Sequence, residues 1–191
     1  MEEELGGYRF IKTQKYLDWL KRKLYLDKLS EKSKTRVVKR GQVYWCDFGI
    51  GIGSEMSKES PRPCVILQKT VINKNSPNTI VAPITHDKGT IPCLIPIREY
   101  FDTNGKKILD GQVNVSNIMC ISKGRLAGQI CQLDSKEVKE IDNQLMQQLD
   151  IYKPYYDMMM QLSSIRNKLQ ISESDDILAK LQEVLDKIEN M

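Results

Sequence analysis

The sequence predicts a small, mainly β domain with helices added at both ends. Between residues 41 and 134, short apolar and β-branched runs are separated by Gly, Pro and Asn, which is typical of all-β domains. Before and after this region, apolar residues recur instead at the three- and four-residue spacing of helices. Because the β runs are short and closely connected, we expect a compact barrel rather than a broad sheet.

The amino-terminal region is predicted to form an amphipathic helix from about residue 8 to residue 29. Leu17, Leu20 and Leu24 belong to its apolar stripe, for which we expect packing on the barrel or on a partner subunit. The charged segment 30–40 that follows is interpreted as a linker or basic arm. The first 40 residues carry 12 Lys or Arg against 6 Asp or Glu, and the remainder carries 17 against 19. Affinity for nucleic acid must therefore come from this arm or from a local patch.

Six strands are predicted in the central region. Pro83, Pro92 and Pro96 lie within or beside them, and since proline cannot donate to a ladder they favour sheet edges or bulges at these points. The strands are expected at residues 42–48, 63–68, 79–85, 93–97, 111–119 and 126–132.

Helical spacing returns after the last predicted strand. Asp134 and Glu137 fit a capping box that starts a helix reaching Leu149. Beyond Pro154 the apolar spacing predicts two helices or one kinked helix, interrupted at residues 172–176. The predicted organisation is an amino-terminal helix and basic linker at 1–38, a β-barrel domain at 39–151 and a carboxyl-terminal helical extension at 152–191.

Composition and motifs exclude several classes of protein. No apolar run approaches the ~20 residues of a membrane span, and the acidic start lacks the apolar core of a secretory signal, so we expect a cytoplasmic protein that does not contact membranes. The five cysteines contain no C-x-x-C pair, which favours reduced, buried side chains. Only one histidine is present, His86, so a two-histidine acid–base pair is excluded.

The most distinctive stretch lies at residues 40–68. A strand leads into a Gly-rich loop, and Pro61-Arg62-Pro63 then opens a second, apolar strand. Glycines allow backbone amides to approach a phosphate. The two prolines stiffen the backbone around Arg62, whose guanidinium is then suited to bind two phosphate oxygens. The alternative is that Arg62 is a surface side chain in a salt bridge.

The order of motifs resembles the MazF/PemK/Kid family of toxin ribonucleases. The chain reads R-G-Q-V-Y, G-S-E and R-P-C-V-I-L-Q, then N-x-x-S-P-N-T-I-V-A-P-I-T at 73–85 and G-R-L at 124–126. The resemblance covers about residues 39–151. It implies an α+β protein with a CcdB-like barrel, related to SH3-type barrels, that works as a homodimer. It further implies single-stranded RNA bound across the dimer interface and a cognate antitoxin protein that occupies the same groove.

The resemblance also implies roles for individual residues. It makes Arg62 the catalytic arginine and Thr85 the threonine that ends a strand, whereas Ser54 and Glu55 match a mobile loop that closes on RNA. The implied reaction is attack of the ribose 2′-OH on its own phosphodiester, which leaves a 2′,3′-cyclic phosphate and a 5′-OH and uses no metal and no cofactor. From the residues alone, Thr85 is equally a strand threonine that satisfies a backbone group.

One segment departs from the family pattern. Many relatives carry a carboxylate and, three residues later, an arginine, where this chain has Ser116 and Met119. Ser116 and Asn117 retain groups that can hydrogen-bond RNA, and His86 is either a substitute proton carrier or a solvated loop residue. Two hypotheses follow: a sequence-specific toxin endoribonuclease (an mRNA interferase), or a catalytically impaired MazF/CcdB-fold binding module that acts on a protein or nucleic-acid partner.

Overall fold

The computed structural model describes residues 2–53, 55, 61–86, 89–168, 182 and 186–187. The chain divides into two compact units, Met1–Gln148 and Leu149–Met191. The helices of the first unit are α1 (Glu2–Ser33), α2 (Thr70–Asn75) and α3 (Ser135–Gln148). Its strands are β1 (Gln42–Cys46), β2 (Arg62–Ile66), β3 (Asn78–Thr85), β4 (Leu94–Phe101), β5 (Lys107–Asn114), β6 (Met119–Ser122) and β7 (Leu126–Gln132).

β3 organises the sheet, because three strands pair with it. The strand order is β4-β5-β3-β2-β1-β7, and β6 also pairs with β3. All of the pairs are antiparallel. β2 lies along one side of β3, whereas β6 pairs with its first half and β5 with its last two residues on the other side. Strand sharing of this kind curves the sheet into a half-barrel, so the predicted mainly β fold with added helices is confirmed.

Pro83 and Pro96 lie at positions of the sheet where a missing N–H donor is tolerated. Pro83 lies in the interval of β3 between its pairing with β6, which ends at Val81, and its pairing with β5, which starts at Ile84. Pro96 lies in β4, which is the edge strand at the start of the sheet order. A residue without an N–H is tolerated at both places because, on one side of the strand, no adjacent strand requires a hydrogen bond from it.

Apolar side chains on the two faces of the sheet form two separate clusters. Since side chains alternate along a strand, Val65 of β2 and Ala82 of β3 belong to the first cluster, and Cys64 and Ile66 belong to the second. α3 covers the first cluster, with Ile141 almost fully buried in it. The free energy gained by burying a side chain such as Ile141 is ~1.5–3 kcal/mol.

The start of α3 has the capping box expected from the sequence. The backbone N–H of Asp134 donates to Glu137 Oε2 over 2.9 Å, and Lys136 N–H donates to Asp134 Oδ1 over 2.8 Å. Tyr100 of β4 donates its hydroxyl to Glu137 and accepts the Asp134 N–H at 2.9 Å. Burial and the Glu137 carboxylate raise the pKa of Tyr100 to about 12, so this hydroxyl keeps its proton at neutral pH.

Two features of the amino-terminal region add detail to what the sequence predicted. In the single chain the side chains of Leu17, Leu20 and Leu24 remain 49%, 52% and 65% exposed, so they are not buried against the barrel, and their packing on a partner subunit stays a prediction. The segment after α1 is held against the sheet. Arg36 stacks on the Tyr44 ring and donates to the carbonyl oxygens at the start of β7, and Val38 is fully buried.

Two elements, α2 and β6, were not predicted from the sequence. Residues 111–119, predicted as one strand, contain the end of β5, a 3-10 turn at Val115–Asn117 and the first residue of β6. The short strand β6 was not predicted from the sequence because Met119 and Cys120 give no alternating apolar pattern.

The second unit contains α4 (Tyr152–Lys168). The predicted interruption at 172–176 lies outside the described residues, as does the helical stretch after it apart from residues 182 and 186–187, which are helical. Among the helices that the structure describes, none combines the length and the apolar character that crossing a bilayer would require.

Gly111 offers a test of the packing that holds the end of β3. Its φ is +114°, and a Cβ atom there would lie 2.3 Å from the carbonyl oxygen of Thr85. We predict that Gly111→Ala lowers the free energy of unfolding well beyond the ~1–2 kcal/mol that left-handed strain alone costs. Urea denaturation measures this difference.

The matched control is Gly105→Ala. Gly105 also has a positive φ, +77°, but no atom lies within 4 Å of the added Cβ, so it isolates backbone strain. Equal losses of stability in the two variants would show that the contact between Gly111 and Thr85 does not hold the end of β3.

Candidate active site

The first feature of the candidate site is the alignment of two strand ends. Arg62 is the first residue of β2, and Thr85 is the last residue of β3. The observed register pairs Cys64 with Pro83. The observed pairing ends there; if the register is continued by two residues on each strand, Arg62 falls opposite Thr85 on the same face of the sheet. The two predicted catalytic residues therefore lie at the same end of the β2–β3 pair.

Both residues lie at the rim of the sheet and are only partly buried. Their shared face is the one that holds the second apolar cluster, in which Cys64 and Ile66 follow Arg62. The effective dielectric constant at the edge of an apolar cluster is lower than in open solvent. The interaction of a guanidinium or a hydroxyl with an anion is therefore stronger there. The arrangement is chemically suited to bind a phosphate oxygen from two sides.

The neighbouring strands add residues that the sequence patterns did not single out. Cys46 of β1 pairs with Arg62, and Gln112 of β5 pairs with Thr85. The Gln112 side chain donates to the Gly89 carbonyl oxygen over 3.2 Å, and no described residue donates to its buried Oε1. No sequence signal pointed to Gln112, because its position opposite Thr85 depends on the irregular route of β5.

The thiol of Cys46 does not add a nucleophile to this site. A hydrogen bond with Cys64 and burial both raise the pKa of Cys46 far above its ordinary value, so the thiolate is absent at neutral pH. All five cysteines are free; Cys46 and Cys64 are buried as expected, whereas Cys93 and Cys131 are half-buried and Cys120 is exposed.

His86, the residue after Thr85, belongs to a row of three polar side chains that contact one another. Its Nδ1 lies 2.9 Å from Asp110 Oδ1, and Asp110 Oδ2 lies 2.8 Å from Lys107 Nζ. Lys107, followed by His86, lowers the pKa of the Asp110 carboxyl. Asp110 is therefore ionised at neutral pH and orients the imidazole through Nδ1, which leaves Nε2 as the nitrogen available for other interactions. Asp110 was missed in the sequence, where Asp-Gly resembles a turn.

The loop between β1 and β2, residues 47–61, contains the predicted loop residues. Glu55 closes a small turn: its N–H donates to the Ile52 carbonyl oxygen over 3.0 Å, and its Oε2 accepts the Ile52 N–H over 3.3 Å. The exposed Glu55 carboxylate therefore shapes the loop. Ser54 lies outside the described residues.

The root of this loop, residues 47–50, is held by residues from two directions. Arg22 of α1 donates from Nε to the buried carboxylate of Asp47 over 2.6 Å. Arg125 donates to the carbonyl oxygens of Asp47 and Phe48 and lies over the Trp19 ring. These contacts fix the point at which the loop leaves the sheet.

Ser116 and Asn117 lie in the 3-10 turn between β5 and β6. Asn114 Oδ1 caps the turn by accepting the Ser116 N–H over 3.0 Å, and it also accepts the Ser116 hydroxyl over 2.6 Å. The turn falls between the two ladders on β3, beside the interval that contains Pro83, and so lies a few residues from Thr85. Asn117 is partly exposed. Ser116 and Asn117 therefore lie beside the Pro83 interval of β3 and not at the strand end that carries Thr85.

A metal site is not built by the described residues. No three of their His, Cys, Asp or Glu side chains come together in a way that could hold an ion.

Comparison with known proteins gives a consistent result. Residues 39–149 match the family of PemK-like, MazF-like toxins of type II toxin–antitoxin systems. Endoribonuclease MazF of Staphylococcus saprophyticus is 34% identical over 109 residues, which cover 56% of this chain and 87% of that protein. Endoribonuclease EndoA of Bacillus subtilis is 32% identical over 114 residues, which cover 57% of this chain and 91% of that protein.

The fold agrees with these matches. A crystal structure of MazF from Deinococcus radiodurans aligns with a TM-score of 0.51 at 18% identity, over 60% of this chain and 97% of that one. The family pattern covers more than half of the chain and the curated relatives exceed 30% identity, so this chain belongs to the PemK-like, MazF-like toxins of type II toxin–antitoxin systems.

Proposed function

We propose that the protein is a toxin endoribonuclease that cleaves single-stranded RNA at specific sequences without a metal ion. The observation that carries the proposal is that Arg62 begins β2 and Thr85 ends β3, each two residues beyond the paired Cys64 and Pro83, at the same end of the two strands. Membership of a toxin family whose relatives include two endoribonucleases supports the same reaction class. The proposed partners are single-stranded RNA, a cognate antitoxin and a second copy of the chain.

In the proposed reaction the RNA supplies its own nucleophile. The ribose 2′ oxygen forms a bond to phosphorus, and the bond between phosphorus and the 5′ oxygen breaks. The 2′-OH loses a proton and the departing 5′ oxygen gains one, so the products are a 2′,3′-cyclic phosphate and a 5′-OH. Such a step depends on alignment and on stabilising the extra negative charge of the phosphorane oxygens.

The two strand-end residues divide this task. Arg62 supplies positive charge and two parallel donors to the phosphorane oxygens, and Thr85 supplies a hydroxyl donor from the opposite strand. Arg62 acts through its charge rather than as a proton shuttle, because a guanidinium holds its proton up to a pKa of about 12 or more. Proton transfer therefore falls to another group.

His86 is the proposed proton carrier. It follows Thr85 directly, and Asp110 engages its Nδ1 at 2.9 Å, so Nε2 is the nitrogen that exchanges a proton with RNA. Ser116 and Asn117, in the nearby 3-10 turn, are proposed to contact RNA bases or phosphates. The loop that contains Ser54 and Glu55 is proposed to contact the RNA strand that enters the site.

One observation favours the second candidate, a binding module with impaired catalysis. Met119 of β6, which pairs with Val81, stands where the family resemblance leads us to expect an arginine, and the Ser116 hydroxyl already donates to Asn114 Oδ1. The site then has one strong cation instead of two. Direct measurement of cleavage separates the two candidates.

We predict that the protein cuts a long RNA in excess EDTA and that the new 5′ ends carry hydroxyl groups. In Arg62→Ala the rate should fall by at least ~100-fold, because one oriented donor at a developing charge contributes about that much. Mapping of 5′ ends by ligation, with and without prior phosphorylation, measures both the rate and the end chemistry.

The control for charge is Arg98→Ala, which removes the same charge from a side chain that packs on Tyr100 away from the β2–β3 rim. Intact RNA with the folded, unmodified protein would instead support the binding module. A requirement for added Mg²⁺ would contradict the metal-independent route.

We predict that Thr85→Val slows cleavage ~10- to 1,000-fold with little change in stability, since valine keeps the shape and loses the hydroxyl donor. Single-turnover rates at saturating enzyme measure the chemical step. Thr79→Val is the matched control, because Thr79 is buried in the same strand and no described residue hydrogen-bonds its hydroxyl. Unchanged rates in Thr85→Val would remove Thr85 from the mechanism.

A further inference from the structure

Helix α1 has apolar side chains on two opposite faces. Leu26 is buried, and its carbonyl oxygen lies on the side of the helix that Gly124 approaches. Leu24, two residues earlier, is ~200° around the helix axis from Leu26 and is largely exposed. A helix that rests on a domain needs one apolar face. The second apolar face of α1 therefore indicates a second protein surface that packs on the helix.

The second face is a stripe of Phe10, Leu17 and Leu24, which are spaced by seven residues. Residues seven apart lie almost on one line along a helix. The exposed fraction of these side chains is 72% at Phe10 and about half or more at the two leucines. Leu20, also exposed, lies one turn from Leu17 and Leu24 and widens the stripe. We call these four residues the outer stripe.

One edge of the outer stripe borders a cavity that the domain leaves open. Leu20 and Leu24 line this cavity of about 540 Å³, which lies between α1 and the start of β3, with Pro77 and Asn78 on the other side. Both leucines remain at least half exposed although they line it, so the domain does not cover them. A contiguous exposed apolar surface of this kind marks a site of protein–protein interaction.

The formal charges of α1 are separated along its length. Residues 2–4 are all Glu, whereas residues 21–33 carry five Lys or Arg against two Asp or Glu. Lys28 and Lys32 are exposed, and no described carboxylate forms an ion pair with either. The basic end of α1 is therefore complementary in charge to its own acidic start.

We propose that the outer stripe binds the outer stripe of a second copy of the chain, with the two α1 helices antiparallel. A parallel pair would set like charges side by side at both ends, which destabilises helix association. In an antiparallel pair, residues 2–4 of each helix lie beside the basic end of the other. The occupant is a second copy because both the stripe and the charge separation are self-complementary, as a two-fold interface requires.

Two-fold symmetry also defines the register of the contact. Phe10 and Leu24 lie at equal distances along the chain on either side of Leu17. Leu17 then meets the partner's Leu17, and Phe10 meets the partner's Leu24, over an apolar contact ~21 Å long. In the same register the position of Glu2 falls beside the partner's Lys32.

This surface lies outside the family domain. α1 ends at Ser33, before residues 39–149 that match the toxin family. The contact is therefore additional to the homodimer proposed for the family domain, and it does not depend on RNA cleavage.

Disulfide trapping in the full chain tests both the contact and its direction. Cys120, the exposed native cysteine, is first replaced by Ser. In this background Phe10→Cys and Leu24→Cys chains are produced separately and together, oxidised with copper phenanthroline and analysed by non-reducing electrophoresis and mass spectrometry. We expect intermolecular disulfides that join position 10 to position 24 when the two chains are together, and few from either chain alone.

Leu17→Cys alone should form disulfide-linked dimers, because this position meets itself across the two-fold axis. The matched control is Tyr25→Cys, which places the thiol on an exposed side of α1 away from the outer stripe. The rate of dimer formation should be higher for Leu17→Cys than for Tyr25→Cys.

We predict that Lys28→Glu/Lys32→Glu slows disulfide formation at position 17 about fivefold, since attractions between exposed charges become repulsions. Adding Glu2→Lys/Glu3→Lys to the same chain should restore the rate, because opposite charges then face each other again. The same readout measures both variants.

The control for net charge is Lys21→Glu/Lys23→Glu. It makes an equal change of charge at exposed positions of α1 that lie beside the middle of the partner helix rather than its acidic start. This variant should not slow disulfide formation. Circular dichroism checks that every variant keeps its helix content.

Three outcomes would overturn the proposal. Disulfides from Phe10→Cys alone and from Leu24→Cys alone would contradict the antiparallel direction, because like positions meet only in a parallel pair. Equal rates for Leu17→Cys and Tyr25→Cys would show that the outer stripe does not bind a second copy. Equal slowing by the two charge variants would show an effect of net charge instead of contact with the partner's acidic start.

Discussion

The structure of the candidate site depends on one constraint, the antiparallel register of β2 and β3. A shift by one residue would move Thr85 to the other face of the sheet. The register is held by apolar side chains on both faces, so the same residues that form the core also align Arg62 with Thr85. Core packing and the geometry of the candidate site are therefore inseparable along these two strands.

Helix α1, which lies outside the family domain, contacts the loop root beside the strand end that carries Arg62. Its ion pair with Asp47 and the contact of Trp19 with Gly49 hold the loop root that leads into Arg62. A side chain that binds a phosphate effectively must be supported by its surroundings. Support here comes from an added element as well as from the barrel: Trp19 and Arg22 of α1 contact the loop root, and Leu26 of the same helix is buried.

The sequence predicted the mainly β fold, most strands and the α3 capping box, because alternation and capping residues are local signals; the joint role of Arg62 and Thr85 stays a prediction. It did not predict β6, which lacks alternation, or Asp110, whose contact with His86 depends on the irregular route of β5. The contacts of α1 could not be predicted in detail. Its leucine stripe satisfies the helical pattern, but the contacts of Trp19 with Gly49 and of Arg22 with Asp47 depend on where the chain leaves β1.

The most direct measurement is a crystal structure of the protein with a bound, 2′-O-methylated RNA that contains its cleavage sequence. We expect one phosphate whose non-bridging oxygens lie within hydrogen-bond distance of both the Arg62 guanidinium and the Thr85 hydroxyl. RNA bound elsewhere on the surface, or Arg62 turned away into an ion pair with a carboxylate, would contradict the proposed role of this pair.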